Sequence, residues 1–239
     1  MRILITNDDS INGEGLEILA NWARRLGEVV IAAPKVEQSG KSHGIDIHEP
    51  FEVKKGVRFG DITAYSIDST PADCVRFMIL GLKEKFDLVL SGINKGLNIG
   101  CDIVYSGTAG AIFEAAALGV QGIAVSADFY SFETAKARLD DVYDYFVKHD
   151  LLGKNDIYNV NIPDNATEIL ITKQGKKYYS DDFVPVGDGM YQASGLCVYK
   201  NGENFDIDTD AVMHGYISIT PLTINRTNLE VFEKLKKEQ

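Results

Sequence analysis

Short apolar runs alternate with stretches of helical character along the first two thirds of the chain. The apolar runs, which are typical of strands buried on both faces of a parallel sheet, lie at residues 3–5, 28–33, 86–90, 122–126 and 157–162. The helical stretches lie at residues 16–26, 71–82, 105–118 and 132–147. This alternation predicts an α/β fold with right-handed crossover connections.

Two segments depart from the alternation. Residues 45–67 contain strand-like pieces at 51–53, 57–59 and 63–67, which predict an antiparallel excursion from the sheet. Residues 168–221 contain strand-like pieces separated by Gly, Asp and Asn, followed by a charged helix at residues 228–237. We therefore expect a single domain, with a core over about residues 1–165 and a β-hairpin-rich C-terminal extension with its helix over about residues 166–239.

Composition narrows the class of protein. The 239 residues are 45% hydrophobic, which is enough for one sizeable core. The sequence contains neither an apolar run near the ~20 residues that span a bilayer nor a signal-peptide pattern, so we expect no membrane partner. Cys74, Cys101 and Cys197 lie far apart without CxxC spacing, which favours free thiols in the cytoplasm over a zinc site.

The formal net charge of −11 bears on the possible partners. Binding to polymeric nucleic acid needs a basic face, so the charge argues against such a partner. A small phosphate compound remains a possible substrate. Local positive charge would then have to offset the general repulsion, and a divalent cation supplies it most economically.

The first strand ends in an acidic pair, Asp8 and Asp9. Adjacent carboxylates at the carboxyl end of a buried strand repel each other, and they persist at low cost only beside a cation or strong hydrogen-bond donors. Ligands of open α/β sheets bind at that edge. One carboxylate alone would more simply cap the next helix. The pair favours a metal or phosphoryl site.

Further polar loops follow other predicted strands. Ser39 and Gly40 lie in one, although they equally fit a simple turn, and His43 nearby is a candidate proton donor. The glycine-rich segment 91–102 suits either close approach of a ligand or an ordinary loop. The small residues that open the helix near Ser106 suit an anion site, an N-cap or close helix–sheet packing. The spacing is neither a Walker A motif nor GxGxxG.

Taken together and in order, four of these segments resemble the SurE (survival protein E) family of nucleotidases: Asn7-Asp8-Asp9, Gln38-Ser39-Gly40, Ser91-Gly92-Ile93-Asn94 and Tyr105-Ser106-Gly107-Thr108. The resemblance is close over about residues 1–128. It implies a Rossmann-like, three-layer core with a mostly parallel sheet. It also implies a phosphomonoesterase that depends on a divalent metal and acts on nucleoside 5′- and 3′-monophosphates. A homodimer or homotetramer, in which the C-terminal extension crosses to a neighbour, is implied as well.

By position, the resemblance assigns metal binding to Asp8, Asp9, Ser39 and Asn94, and it assigns phosphate contacts to Asn98, Ser106, Gly107 and Thr108. Two carboxylates, a hydroxyl and an amide are hard oxygen ligands, which suit one Mg²⁺ or Mn²⁺ ion per subunit. Our mechanistic hypothesis is direct attack by a metal-associated water, with Asp8 as general base and Ser106 as the second catalytic residue at the helix start. The chain departs from the family at Ser10, Glu14 and Lys35-Val36, which leaves the substrate preference open.

Two other classes of protein place an acidic residue after the first strand. Haloacid-dehalogenase-type phosphatases use an Asp-x-Asp motif with the first Asp as nucleophile, whereas Asp8 and Asp9 are adjacent. Receiver-like signalling modules accept phosphate on another strand-end aspartate, a part that Asp68 would play here. The glycine-rich loop and the helix start at Ser106 have no role in such a module.

Overall fold

The computed structural model describes residues 1–56 and 59–238. Its strands are β1 Arg2–Thr6, β2 Glu28–Pro34, β3 Val53–Lys55, β4 Thr63–Ile67, β5 Leu88–Lys95, β6 Gln121–Ala127, β7 Ile157–Ile162, β8 Ile169–Ile171, β9 Tyr179–Gly187, β10 Met190–Cys197 and β11 Ile217–Leu222. Its α-helices are α1 Glu14–Ala23, α2 Pro71–Arg76, α3 Gly107–Ala117, α4 Glu133–Lys148, α5 Asp208–Met213 and α6 Leu229–Lys237. A π-helical turn, Phe77–Gly81, continues α2, and a 3₁₀ turn, Gly100–Tyr105, precedes α3.

The main sheet has nine strands in the order β3-β4-β2-β1-β5-β6-β7-β11-β8. The six from β4 to β7 run parallel, whereas β3 is antiparallel to β4 and β11 is antiparallel to β7. The chain builds outward from β1 through β2 and then crosses to β5 on the other side. The order of the strands therefore reverses between β1 and β5, which is where open α/β sheets bind ligands.

Alternation along the strands divides the core into two layers of side chains. Ile3 and Ile5 of β1 belong to the larger cluster, which contains the buried faces of α1 and α4. Leu4 points the other way, into a cluster with residues of α2 and α3. Helices thus cover both faces of a mostly parallel sheet, which confirms the expected three-layer α/β fold.

The prediction for β5 was wrong in its boundaries. The sequence places a strand at residues 86–90 and a loop at 91–102, whereas the strand extends to Lys95 and pairs with β6 through a register shift between Gly92 and Asn94. A Cβ atom at Gly92 would lie 2.2 Å from the carbonyl oxygen of Val125. The glycine therefore permits close approach of two strands instead of ending one of them.

The chain after residue 165 is only partly an extension. Strands β11 and β8 join the main sheet beyond β7, so the expected boundary near residue 165 does not separate the sheet from the remainder. Strands β9 and β10 form a separate antiparallel hairpin.

Helix α1 ends at Ala23, three residues before the predicted end. The piece predicted at residues 57–59 falls mainly on residues 57 and 58, outside the described ranges.

None of the helices in the described ranges combines the length and the apolar character that crossing a bilayer requires.

Candidate active site

The loops that follow β1, β2 and β5 meet at the carboxyl edge of the sheet. Strands β1 and β5 are neighbours up to the pair Thr6 and Ser91. The backbone N–H of Gln38 donates to the carbonyl oxygen of Asp8 at 2.8 Å. The backbone N–H of Lys95 donates to Oδ2 of Asp9 at 3.1 Å. The acidic pair is thus held between the loop that carries Ser39 and the end of β5, which carries Asn94.

Asp8 is buried beneath the first turn of α3. Oδ1 of Asp8 accepts a hydrogen bond from Oγ1 of Thr108 at 2.5 Å, and only 4% of the Asp8 surface is exposed to solvent. Gly107 packs against it so closely that a Cβ atom there would lie 2.9 Å from Cβ of Asp8. Burial raises the pKa of Asp8 to about 6; the charge of Asp9 adds to the increase and the Thr108 hydroxyl opposes it.

Asp9 is partly open to solvent on the other side of β1. Burial raises its pKa, the hydrogen bond from Lys95 opposes that increase, and the nearby charge of Glu37 adds to it. Both carboxylates are therefore held in surroundings that disfavour their charge. A bound cation would relieve that cost, so this pair fits a divalent metal.

The other two candidate ligands are Ser39, in the loop after β2, and Asn94, near the end of β5. Ser39 is exposed, and its hydroxyl donates to Oε1 of Glu37 at 2.7 Å. The side-chain amide of Asn94 donates to the carbonyl oxygen of Gly96 at 2.7 Å, so its carbonyl oxygen is the atom with ligand chemistry.

Only Asp8 and Asp9 of this set are acidic, and within residues 1–56 and 59–238 no three His, Cys, Asp or Glu side chains group together as metal ligands. A site here would therefore combine two carboxylates with neutral oxygen donors, a set that suits hard cations.

The start of α3 shows the capping role that the sequence left open for Ser106. Its Oγ accepts a hydrogen bond from the backbone N–H of Ala109 at 3.0 Å. Gly107 and Thr108 follow as the first buried residues of an 11-residue helix. The positive end of the helix dipole therefore faces Asp8 and the space beside it, an arrangement that attracts a phosphate or another anion.

Asn98 is fixed by three buried polar side chains that the sequence analysis missed. Its backbone N–H donates to Oδ1 of Asn161 at 2.8 Å, and its carbonyl oxygen accepts from Asn159 and Asn161 at 2.8 and 3.0 Å. Its side-chain amide donates to Oγ of Ser126 at 2.9 Å. The signal in the sequence was two asparagines at alternate positions of an otherwise apolar strand, residues 157–162.

Two further residues from the sequence analysis are held elsewhere. Nε2 of His43 lies 2.7 Å from Oε2 of Glu114, two turns along α3 from Ser106, and Arg76 donates to the other oxygen of Glu114 at 2.9 Å. Asp68 lies beyond β4, and its carboxylate pairs with Lys35 at 2.9 Å. The structure therefore places His43 in a hydrogen bond with Glu114 and Asp68 in a salt bridge with Lys35, and neither of them contacts the acidic pair.

Asn7 was also missed as a support of the site. It is fully buried, and its side-chain amide donates to the carbonyl oxygen of Ser10 at 2.9 Å, which closes the turn after Asp9. For Thr108, which is expected to contact phosphate, the structure shows its hydroxyl donating to Asp8, and a phosphate contact by its backbone N–H stays a prediction.

The chain is similar to known proteins of one family. The model of the family described as survival protein SurE matches residues 3–181. The protein named 5′-nucleotidase SurE of Alkaliphilus metalliredigens is 38% identical to this chain, and the match covers 99% of this chain and 98% of that protein. The protein of the same name from Thermosipho melanesiensis is 35% identical, with coverages of 99% and 97%.

A solved structure supports the same relationship. The crystal structure of the SurE protein from Aquifex aeolicus superimposes with a TM-score of 0.81 at 32% identity, and the match covers 99% of each chain. The matching family model, the similarity of these relatives over nearly their full length and the shared fold lead to one conclusion: this chain belongs to the SurE family.

Proposed function

We propose that this protein is a metal-dependent phosphomonoesterase that hydrolyses nucleoside 5′- and 3′-monophosphates to nucleoside and phosphate. The observation that carries the proposal is the contact between a buried carboxylate, Asp8, and the N-terminal turn of α3. This contact supports the proposal because it puts a carboxylate next to a helix N-terminus, which attracts anions, at the point where the order of the strands reverses. Relatives named 5′-nucleotidase SurE, similar over nearly the whole chain, support the reaction class.

The ion that fits the proposed ligands Asp8, Asp9, Ser39 and Asn94 is Mg²⁺ or Mn²⁺, one per subunit. When bound, such an ion neutralises phosphoryl charge and lowers the pKa of a coordinated water.

The chain's own residues supply the remaining roles. Asp8 would accept the proton of the attacking water, because Thr108 fixes one of its oxygens and the other lies towards Gly107. The first N–H groups of α3, from Gly107 and Thr108, would hold the phosphate oxygens with Asn98. Ser106 would act at the same helix start, where its capping bond fixes the backbone that faces the phosphate.

No observation favours the two other classes considered. The adjacent positions of Asp8 and Asp9 do not form the Asp-x-Asp motif of a haloacid-dehalogenase-type phosphatase. Asp68, the residue that a receiver-like module would phosphorylate, is paired with Lys35 beyond β4.

We further propose a homodimer or homotetramer that works in the cytoplasm. The hairpin β9–β10 and helix α6 expose many apolar side chains, among them Phe183, Tyr191, Phe232 and Leu235. Apolar surface of this extent is typical of contacts between protein chains. Light scattering should give the mass of two or four chains, and a monomeric mass would refute the assembly.

The free thiols of all three cysteines support the proposed location in a reducing compartment, the cytoplasm.

The proposed reaction is tested by measuring phosphate release from a panel of nucleoside monophosphates, with and without Mg²⁺ or Mn²⁺. We expect multiple turnover that needs the metal and is lost in Asp8→Asn. The matched control is Asp188→Asn, the same change in an exposed loop at φ 51°, a left-handed conformation that Asn adopts as readily as Asp. Absence of turnover with every metal and substrate would refute the proposal.

A further inference from the structure

A cavity of about 430 Å³ adjoins the acidic pair on the face opposite α3. Asp9 and Lys95 form its inner wall, and Phe129, Tyr130 and Phe132 line it from the loop between β6 and α4. Asp8 contacts α3, whereas Asp9, the next residue of the chain, faces this cavity. These contacts put the pair between the proposed phosphate site and the cavity. The volume is within the usual range for small-ligand sites.

The loop after β6 presents an aromatic pair at the mouth of this cavity. Tyr130 is 89% exposed, an unusual state for so large a ring. Its ring packs edge-on against Phe129, with centroids 5.6 Å apart. Nζ of Lys95 lies over the ring of Phe129, 4.8 Å from its centroid, and so covers one face of that ring. Tyr130 is therefore the ring at this mouth whose surface is open for stacking, and it stands roughly perpendicular to Phe129.

The rest of the rim is acidic. Glu14, Glu37 and Glu133 line the same cavity and are exposed. Carboxylates accept hydrogen bonds and repel phosphate, so this rim does not suit the charged end of a substrate. It suits a planar group that carries N–H donors. Adenine and cytosine present an amino group where hypoxanthine and uracil present a carbonyl oxygen.

We propose that this cavity is the nucleoside subsite of the enzyme, with the base stacked on Tyr130 and its amino group directed to the glutamate rim. The proposal rests on the proposed function, because it takes the phosphate to lie between Asp8 and α3. The nucleotide then spans the acidic pair, with its phosphate on one side of β1 and its base on the other. Lys95, which contacts both Asp9 and Phe129, lies between the two ends.

The proposal predicts a loss that depends on the base. Tyr130→Ala should lower kcat/KM for AMP by about 5- to 150-fold, the factor that corresponds to ~1–3 kcal/mol of base–aromatic stacking. Hydrolysis of ribose 5-phosphate, which has no base, should stay unchanged. Tyr130→Phe is the matched control because it keeps the ring, and it should retain nearly native activity on AMP. Equal losses for both substrates, or no loss for either, would overturn the proposal.

Binding of adenosine separates failure of the subsite from failure of the proposed reaction. Adenosine has no phosphate, so its heat of binding is measured in calorimetry whether or not the protein hydrolyses esters. The native chain should bind it, Tyr130→Phe should bind it similarly, and Tyr130→Ala should bind it more weakly. Adenosine binding without any turnover would refute the reaction and keep a nucleoside site. Turnover of AMP with no effect of Tyr130→Ala on adenosine binding would refute the subsite alone.

The acidic rim gives a second measurement. The native protein should have a higher kcat/KM for AMP than for IMP and for CMP than for UMP, since the members of each pair differ in the amino group. The double variant Glu14→Gln, Glu133→Gln should bring both ratios of kcat/KM closer to one. If Tyr130→Ala changes the mass of the assembly and leaves substrate preference intact, the ring belongs to a contact between copies, and the proposal is wrong.

Discussion

Gly107 is the position at which the smallest change should separate activity from stability. The residue lies in the first turn of α3 with a helical backbone, so alanine is compatible with its conformation. A Cβ atom there would lie 2.9 Å from Cβ and 3.0 Å from Oδ2 of Asp8. Ordinary contacts begin near 3.4 Å, so the Asp8 side chain has to move by about 0.5 Å or more. Thr108 holds the same carboxylate, and the movement therefore strains that hydrogen bond as well.

The two consequences of Gly107→Ala differ in size. Alanine in place of helical glycine stabilises by about 0.5–1 kcal/mol, whereas overpacking of a buried site costs about 1–3 kcal/mol. The net loss of unfolding free energy is then between about 0 and 2.5 kcal/mol, and the protein stays folded. A misplacement of about 1 Å in a catalytic group lowers rates by roughly 100-fold. A shift of half that size or more should lower kcat/KM by about 10- to 100-fold.

The assay is phosphate release from AMP with saturating Mn²⁺, with urea unfolding measured on the same preparation. The control is Gly195→Ala in β10, where the added Cβ would lie 3.5 Å from Asp181, an ordinary contact. It should leave the activity unchanged, and it should not lower the free energy of unfolding, because alanine in place of a glycine inside a strand stabilises by about 0.5–1 kcal/mol. Full activity in Gly107→Ala, at unchanged stability, would refute the reasoning that Asp8 works from its position against α3.

Further predictions concern the buried hydrogen bonds of the site and of α3. Thr108→Val removes the hydroxyl that donates to buried Asp8, and it should lower the free energy of unfolding by about 1.5–3 kcal/mol and abolish most of the activity. Thr108→Ser keeps the hydroxyl and should retain both the stability and the activity. Equal behaviour of the two variants would contradict this role. For Glu114, burial acts to raise the pKa, but hydrogen bonds from His43 and Arg76 outweigh it and leave the pKa below the ordinary value. The stabilisation is therefore fully present above about pH 4.3, the ordinary pKa of a glutamate, and is lost as pH falls through the lowered value. Urea unfolding from pH 7 to pH 3 should show this loss in the native chain and a smaller loss in Glu114→Gln; parallel curves would contradict it.

The sequence predicted the order of the core elements because each one carries a local signal. The apolar run at residues 3–5 and the helical spacing after it need no tertiary information. The extension of β5 to Lys95 had no such signal, because Ser91 and Gly92 are typical of loops. Pairing with β6 decided their conformation. The same holds for β11, which joins the main sheet beyond β7 through contacts distant in sequence.

The acidic residues of the candidate site could be singled out from the sequence, whereas their hydrogen-bond partners could not. Asp8 and Asp9 are noticeable in the sequence because their charge conflicts with the buried strand before them. The partner of Asp8, Thr108, is 100 residues away, and only the packing of α3 on the sheet brings them together. The hydrogen bonds from Asn159 and Asn161 to Asn98 likewise depend on the pairing of β7 with β6.

The proposed reaction depends above all on a metal ion held by the acidic pair after β1. The most direct test titrates Mn²⁺ into the chelator-stripped protein and measures metal binding and phosphate release from AMP in the same samples. We expect one ion bound per chain, activity that rises in step with its binding, and loss of both in Asp9→Asn. Phosphate release from the stripped protein, or undiminished binding and turnover in Asp9→Asn, would contradict it.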